Sequence, residues 1–358
     1  MKSTHGANLF EIQKKYGFSI DDIKDFSSNV NPLGPSPKAM KKLTQNLNKV
    51  GVYPDPNYDD LLSSIEKYTH ISRDNIILTS GTTNLISSFI SLINPKNALI
   101  FNPSYSEYEN ELKKINANII SYDLNKNDDF SINSEKLINL IKENNVELVV
   151  LTNPNNPTGF ALNNREIERI INSCDCYFMI DETYVEFSAV STYSSIELTK
   201  NFDNLLVLRS TSKFFAAAGI RLGYGIIGNK NLYDEITKNT NLWNINIFAE
   251  ILGTEMFTDT TYHKKVFEYI NKEKNKMISY LSKIDCLKVY PSESNFVLVE
   301  ILDKKITAHE LREKLIPYTL IIRDCSSFNN LNEYFFRFCI LDEKSNDKLL
   351  EIIQQILK

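Results

Sequence analysis

The sequence predicts an α/β fold: a large domain on a mainly parallel sheet and a smaller α+β domain. Three observations predict it. From about residue 58, helical periodicity alternates with short apolar runs, the pattern of units that lay strands parallel with helices between them. The runs at 147–151, 177–180 and 205–208 are apolar throughout rather than alternating, as strands covered on both faces are. Beyond residue 262 the regular alternation stops, and a long charged helix leads into a mixed set of strands and helices. The 358 residues leave room for two domains at the soft prior of roughly 150 residues each.

Residues 1–40 precede the alternation and carry no complete core, so they are expected as an N-terminal arm packing with the small domain. Residues 41–262 are expected as the large domain and 263–358 as the small one. In the large domain, 59–68 reads as helix, 76–79 as strand, 82–93 as an apolar helix and 98–101 as strand. A helix at 104–115, a strand at 118–122 and a helix at 131–143 with Ser131 as its cap follow. The three apolar runs complete the sheet. The small domain reads as a helix at 263–281, a strand at 296–300, a helix near 309–315, strands at 320–323 and 334–340, and a last helix from 346.

Composition narrows the function classes. Hydrophobic residues are 42% and charged residues 24%, both ordinary for a globular protein. Forty Lys plus Arg against forty-five Asp plus Glu give a net charge of −5, which argues against a broadly basic nucleic-acid surface. No apolar stretch approaches the roughly 18 residues that span a bilayer, and the first residues lack the apolar segment of a secretory signal. A cytoplasmic protein with neither nucleic-acid nor membrane partner is expected. Cys174 and Cys176 are two apart, not the C-x-x-C of a redox or zinc site, and Cys286, Cys325 and Cys339 stand alone. The histidines are scattered, and His309-Glu310 does not complete H-E-x-x-H because residue 313 is Glu. No metal site is expected.

The chemistry concentrates in four stretches, each following an apolar strand. Arg209-Ser210-Thr211-Ser212-Lys213 is followed by Gly219-Ile220-Arg221-Leu222-Gly223. A lysine there can form a Schiff base with a carbonyl, and Ser210, Ser212 and Arg221 suit the oxygens of a phosphate. Thr152-Asn153-Pro154-Asn155-Asn156-Pro157-Thr158-Gly159 stands at the strand end where α/β folds place ligands, although taken alone it is a turn. Asp181 ends another apolar run, in Asp181-Glu182-Thr183-Tyr184, where a helix cap is the plainer use of an aspartate. Thr79-Ser80-Gly81-Thr82 joins a strand to a helix whose first N–H groups can hold an anion.

Together and in this order, these stretches resemble the aminotransferase-like superfamily of pyridoxal-phosphate (PLP) enzymes, fold type I, over essentially the whole chain. The resemblance implies PLP as cofactor and a homodimer with shared active sites. It implies Lys213 as the Schiff-base lysine and proton carrier, Asp181 as partner of the pyridine nitrogen, and Asn156 and Tyr184 as partners of the ring's phenolic oxygen. Tyr105 would stack on the ring. Gly81, Thr82, Ser210, Ser212 and Arg221 would hold the cofactor phosphate. Tyr53, in Tyr53-Pro54-Asp55, would reach the cofactor phosphate of the neighbouring subunit. Arg337, in Phe335-Phe336-Arg337-Phe338, matches the arginine that receives a substrate α-carboxylate, in a strand that reads as half-buried.

The N-terminal segment bears on the choice of reaction. Thr4-His5-Gly6-Ala7-Asn8, then Asp25-Phe26-Ser27-Ser28-Asn29-Val30-Asn31-Pro32-Leu33-Gly34, is similar to the threonine-phosphate decarboxylases of cobalamin biosynthesis, with Ala7 where that family usually has Gly. That family turns L-threonine O-3-phosphate into CO₂ and (R)-1-amino-2-propanol O-2-phosphate. Histidinol-phosphate aminotransferases share the cofactor residues but usually lack the H-G-x-N segment. Both act on phosphorylated amines or amino acids, which accords with a second arginine, Arg323. The resemblance implies that His5, Asn29, Arg323 and Arg337 share the substrate's phosphate and carboxylate, with Asn156 beside them, and leaves their division open. A PLP-binding transcription regulator is disfavoured, because the chain has no spare length for a DNA-binding module and is acidic.

Overall fold

The computed structural model describes residues 8–358. In chain order its strands are β1 (Lys24–Asp25), β2 (Ile76–Thr79), β3 (Asn97–Asn102), β4 (Asn118–Asp123), β5 (Leu148–Thr152), β6 (Tyr177–Asp181), β7 (Leu205–Ser210), β8 (Gly223–Ile227), β9 (Leu287–Val289), β10 (Phe296–Ile301), β11 (Leu320–Ile321), β12 (Arg323–Asp324) and β13 (Phe335–Cys339). Strands β2 to β8 form one seven-stranded sheet in the order β2-β8-β7-β6-β5-β3-β4. The ladders of β3, β4, β5, β6 and β7 are parallel, and β8 is antiparallel to both of its neighbours. The expected mainly parallel sheet is therefore present. Strand β8 reverses because residues 211–222 turn back as an irregular loop without a crossover α-helix.

The unalternating runs are buried on both faces. Leu148 and Val150 point into one core and Val149 and Leu151 into the other, as the two-residue period of a strand requires. One face is covered by the helices Thr82–Ile93 and Glu107–Lys114, through Leu85, Ile86, Phe89 and Leu112. The other takes Leu137 and Ile141 of helix Ser134–Glu143, and Ile167, Ile170 and Ile171 of helix Asn164–Asn172. The spacing of three and four places those isoleucines on one side of their helix.

A second sheet, β12-β13-β10-β9, is antiparallel throughout. Strand β1 of the arm pairs in parallel with β11, Lys24 opposite Leu320 and Asp25 opposite Ile321. Ile12, Ile23, Ile316 and Ile321 form a small core beneath that pairing.

Several elements differ from the expectation. The cap of the helix expected at 131–143 is Asn133, not Ser131. Its side chain accepts from the Lys136 N–H, and the helix starts at Ser134. The helix expected at 104–115 starts at Glu107, because residues 103–106 turn along the end of the sheet. The strand expected at 320–323 is two strands, since β11 pairs with β1 while β12 pairs with β13. Strand β13 is buried along its whole length rather than half-buried. Helices Pro37–Gln45, Lys230–Lys238 and Ile247–Met256 add to those that periodicity predicts. Among the described residues no helix is long and apolar enough to cross a membrane. Cys174, Cys176, Cys325 and Cys339 are buried free thiols, and Cys286 is half-buried.

Candidate active site

Strands β5, β6 and β7 run parallel, and their last residues are Thr152, Asp181 and Ser210. A cavity of about 560 Å³ opens at these three carboxyl ends, the place where open α/β sheets bind ligands. Its floor holds Asp181, Lys213 and Tyr184. Around it stand Gly81, Thr82, Tyr105, Asn156, Ser210, Ser212 and Arg221 from the large sheet's loops, and Asn29, Arg323 and Arg337 from the arm and the second sheet. Tyr53 is not part of this wall. It is 73% exposed and stacks on Trp243 at 4.4 Å. His5, with the H-G-A stretch, lies outside the described residues.

Asp181 is buried at the end of β6. Its Oδ1 accepts from the Thr183 N–H at 2.9 Å and hydroxyl at 2.6 Å, and its Oδ2 accepts from the Tyr108 hydroxyl at 2.8 Å. Burial pushes this carboxyl above its ordinary range, and the donors from Thr183 and Tyr108 oppose the push. The Lys213 Nζ donates to the carbonyl oxygen of Ser28 at 2.7 Å. Asn31 binds the same loop, its N–H donating to the Lys213 carbonyl and its side chain to that of Phe214. The arm therefore reaches across the cavity and holds the lysine loop. Burial also pushes the Tyr105 phenol up to about 12, so its hydroxyl stays protonated.

An anion cradle stands opposite. Gly81 precedes helix Thr82–Ile93 and, among the described residues, no side chain caps that helix, which leaves its first N–H groups for a ligand. Gly81 has φ +81°, and a Cβ there would come within 2.3 Å of the Arg221 Nη2. The Ser210 and Ser212 hydroxyls are 2.8 Å apart beside it. Backbone amides, two hydroxyls and a guanidinium suit a phosphate.

A second cationic region is built by sheet pairing. In the β12–β13 ladder, Arg323 lies directly opposite Arg337. The Arg337 guanidinium donates to the Ser27 carbonyl at 2.6 Å and to the Asn156 side-chain oxygen, and sits 5.1 Å from the Phe296 ring centroid. Among the described residues its Nε has no partner. Arg323 donates to Ser327 at 2.8 Å. Burial lowers the Arg323 pKa, and the facing Arg337 adds to that. Among the described residues neither arginine forms an ion pair with a carboxylate.

Tyr108, Thr152, Thr183 and Ser28 also line this cavity and are absent from the sequence expectation. Thr152 carries the same signal as Asp181, a polar residue closing an apolar strand. Ser28 and Tyr108 carry no such signal, since each contacts a residue distant in sequence. The site's donor set matches PLP: a phosphate cradle at Gly81 and Arg221, a buried carboxylate for a ring N–H, an aromatic side chain, and an amine at Lys213 for the carbonyl.

The signature described as aminotransferase class I and II matches residues 21–353. A putative threonine-phosphate decarboxylase of Caldanaerobacter subterraneus subsp. tengcongensis is 34% identical over 357 residues, covering 98% of this chain and 93% of that one. A histidinol-phosphate aminotransferase of Methanocaldococcus jannaschii is 31% identical over 355 residues, covering 98% and 94%. Among solved structures, the histidinol-phosphate aminotransferase of Clostridium acetobutylicum superimposes with a TM-score of 0.86 at 34% identity, covering 93% of this chain and 98% of that one. The chain belongs to the class I and II aminotransferase family and is a PLP-dependent enzyme of that fold.

Proposed function

We propose that the protein decarboxylates L-threonine O-3-phosphate to CO₂ and (R)-1-amino-2-propanol O-2-phosphate, a step of cobalamin assembly. The observation that carries this reading is the pairing of Arg323 with Arg337 on the cavity wall, neither in an ion pair with a carboxylate among the described residues. Like charges directly opposite in a ladder are unfavourable, so a ligand with two anionic groups is the natural complement. Threonine phosphate carries a carboxylate and a phosphate on adjacent carbons, one for each guanidinium.

When bound, PLP supplies an electron sink conjugated to the substrate Cα. In this reading Gly81, Thr82, Ser210, Ser212 and Arg221 hold its phosphate, Asp181 accepts its ring N–H, and Asn156 and Tyr184 flank its phenolic oxygen. Tyr105 covers the ring. The Arg337 guanidinium already rests on two neutral oxygens, which fixes the plane of its fork. Asn29 donates to the Tyr184 hydroxyl at 3.3 Å while its own Oδ1 has no partner among the described residues, so it can accept from a substrate group. His5 completes this set. Lys213, or a water beside it, delivers the proton that Cα takes once the carboxylate has left. The arm and residues 263–358 close over a cofactor body formed by 41–262.

We also propose a homodimer in which Tyr53 reaches the partner's cofactor phosphate. Leu47, Val50, Val52, Tyr53, Leu242 and Trp243 are all exposed, and Tyr53 stacks on Trp243; exposed apolar side chains that group together mark an association site.

The second reading, a histidinol-phosphate aminotransferase using 2-oxoglutarate, is favoured by the M. jannaschii and C. acetobutylicum likenesses. One experiment separates them. PLP-loaded protein is given threonine phosphate while CO₂ is followed, and histidinol phosphate with 2-oxoglutarate while glutamate is followed. Carbon dioxide without glutamate is expected. Glutamate without carbon dioxide would establish the aminotransferase instead.

A further inference from the structure

Tyr108 lies in helix Glu107–Lys114 and is 1% exposed. Its hydroxyl donates to the Asp181 Oδ2 at 2.8 Å, and the Thr152 hydroxyl at the end of β5 donates to it at 3.2 Å. A phenol has one proton and an ionised carboxylate only accepts. The direction of the chain is therefore set, from Thr152 through Tyr108 to Asp181. Thr183 fills Oδ1 with two donors. Of about four acceptor positions on a carboxylate, three are taken, and the carboxylate lines the cavity. The ring of Tyr108 meets Tyr105 edge-on, centroids 5.5 Å apart at 79°. One buried side chain thus touches both the carboxylate and the aromatic of the cavity.

We propose that Tyr108, oriented by Thr152, is a positioning residue for Asp181: its hydroxyl sets the rotation of the carboxylate, keeps it ionised, and leaves its remaining acceptor position to the ring nitrogen of PLP. This rests on the reading of Asp181 as partner of that nitrogen. It is independent of the choice between decarboxylase and aminotransferase.

Tyr108→Phe keeps the ring against Tyr105 and removes the hydroxyl. Fewer donors make a buried carboxylate harder to ionise, and the neutral form loses the ion pair with a protonated ring nitrogen. The test is titration of apo-protein with PLP as a function of pH, for wild type, Tyr108→Phe, Thr152→Val, Asp181→Asn and the Tyr108→Phe/Asp181→Asn double variant. Tyr108→Phe is expected to weaken PLP binding about tenfold or more and to move the acid limb of binding to higher pH. Thr152→Val moves it the same way by less. In the Asp181→Asn background, Tyr108→Phe adds nothing. An unmoved acid limb, or an equal loss in both backgrounds, would show that Tyr108 acts through packing alone and overturn the proposal. Equal binding by wild type and Asp181→Asn would overturn the reading of Asp181, and the role of Tyr108 with it. Should Tyr108→Phe not fold, Thr152→Val carries the same pH test.

Discussion

Gly81 occupies a backbone conformation at φ +81° that side chains rarely adopt, and a Cβ there meets the Arg221 guanidinium. Gly81→Ala is expected to cost about 1–3 kcal/mol of local strain. PLP titration and thermal unfolding of the apo-protein measure it, and unchanged values in both would refute the cradle. Arg323 presents the opposite balance. It faces Arg337 across the ladder, so Arg323→Met should leave the apo-protein as stable as wild type, or up to about 1 kcal/mol more stable. The same change removes one anion partner and should raise KM for the phosphorylated substrate about tenfold or more. Thermal melts and steady-state kinetics on one preparation test both halves, and an unchanged KM would remove Arg323 from the substrate site. The cavity-edge positions of Lys213 and Asp181 were legible because each closes or follows an apolar run, and the resemblance singled them out. Tyr108 was not, because its partner is 73 residues away and the contact exists only once β3 and β6 share a sheet.

At the scale of elements, helix Thr260–Leu281 carries Lys274 onto the turn between β9 and β10, where its Nζ donates to the carbonyls of Ser292 at 2.8 Å and Ser294 at 2.9 Å. That turn also docks on the N-P-T-G loop, the Glu293 N–H donating to the Gly159 carbonyl. Burial lowers Lys274 to about 8 from an ordinary 10.5, with Glu293 opposing. The sign follows from linkage. Between these two values the unfolded chain holds a proton that the native chain has released, so this group makes stability rise with pH across that window. Lys274→Met should abolish the rise. Denaturant unfolding of both proteins at the two ends of the window checks it, and parallel pH dependences would refute it. The split of 320–323 into β11 and β12 belongs to this scale too. The apolar run Leu320-Ile321-Ile322 leads directly into Arg323 and so reads as one strand, and what divides the two halves is the choice of partner, β1 for one and β13 for the other.

At the scale of the whole molecule, the arm stitches the cavity together. Strand β1 pairs with β11, Ser28 accepts from Lys213, and Asn31 binds the lysine loop. The proposed dimer extends that logic to a second chain. The protein is expected to sediment as a dimer. Leu242→Asp, at a side chain 65% exposed, should give a folded monomer that has lost most of its activity. A monomeric wild type with full activity would remove Tyr53 from the active site.

The fold class was readable along the chain because it depends on local order, and the cofactor was readable through the family resemblance that the ordered stretches carry. Apolar runs specify buried strands, and the residue that ends each run falls at the sheet's carboxyl edge whatever the strand order. The places of Asp181, Ser210 and Lys213 at that edge follow from this order, and the roles proposed for them come from the resemblance. The opposition of Arg323 and Arg337, the chain from Thr152 through Tyr108 to Asp181, and the antiparallel course of β8 were not readable. Each depends on which strands become neighbours and in what register, and that is settled by packing between segments far apart in sequence, which no local pattern encodes.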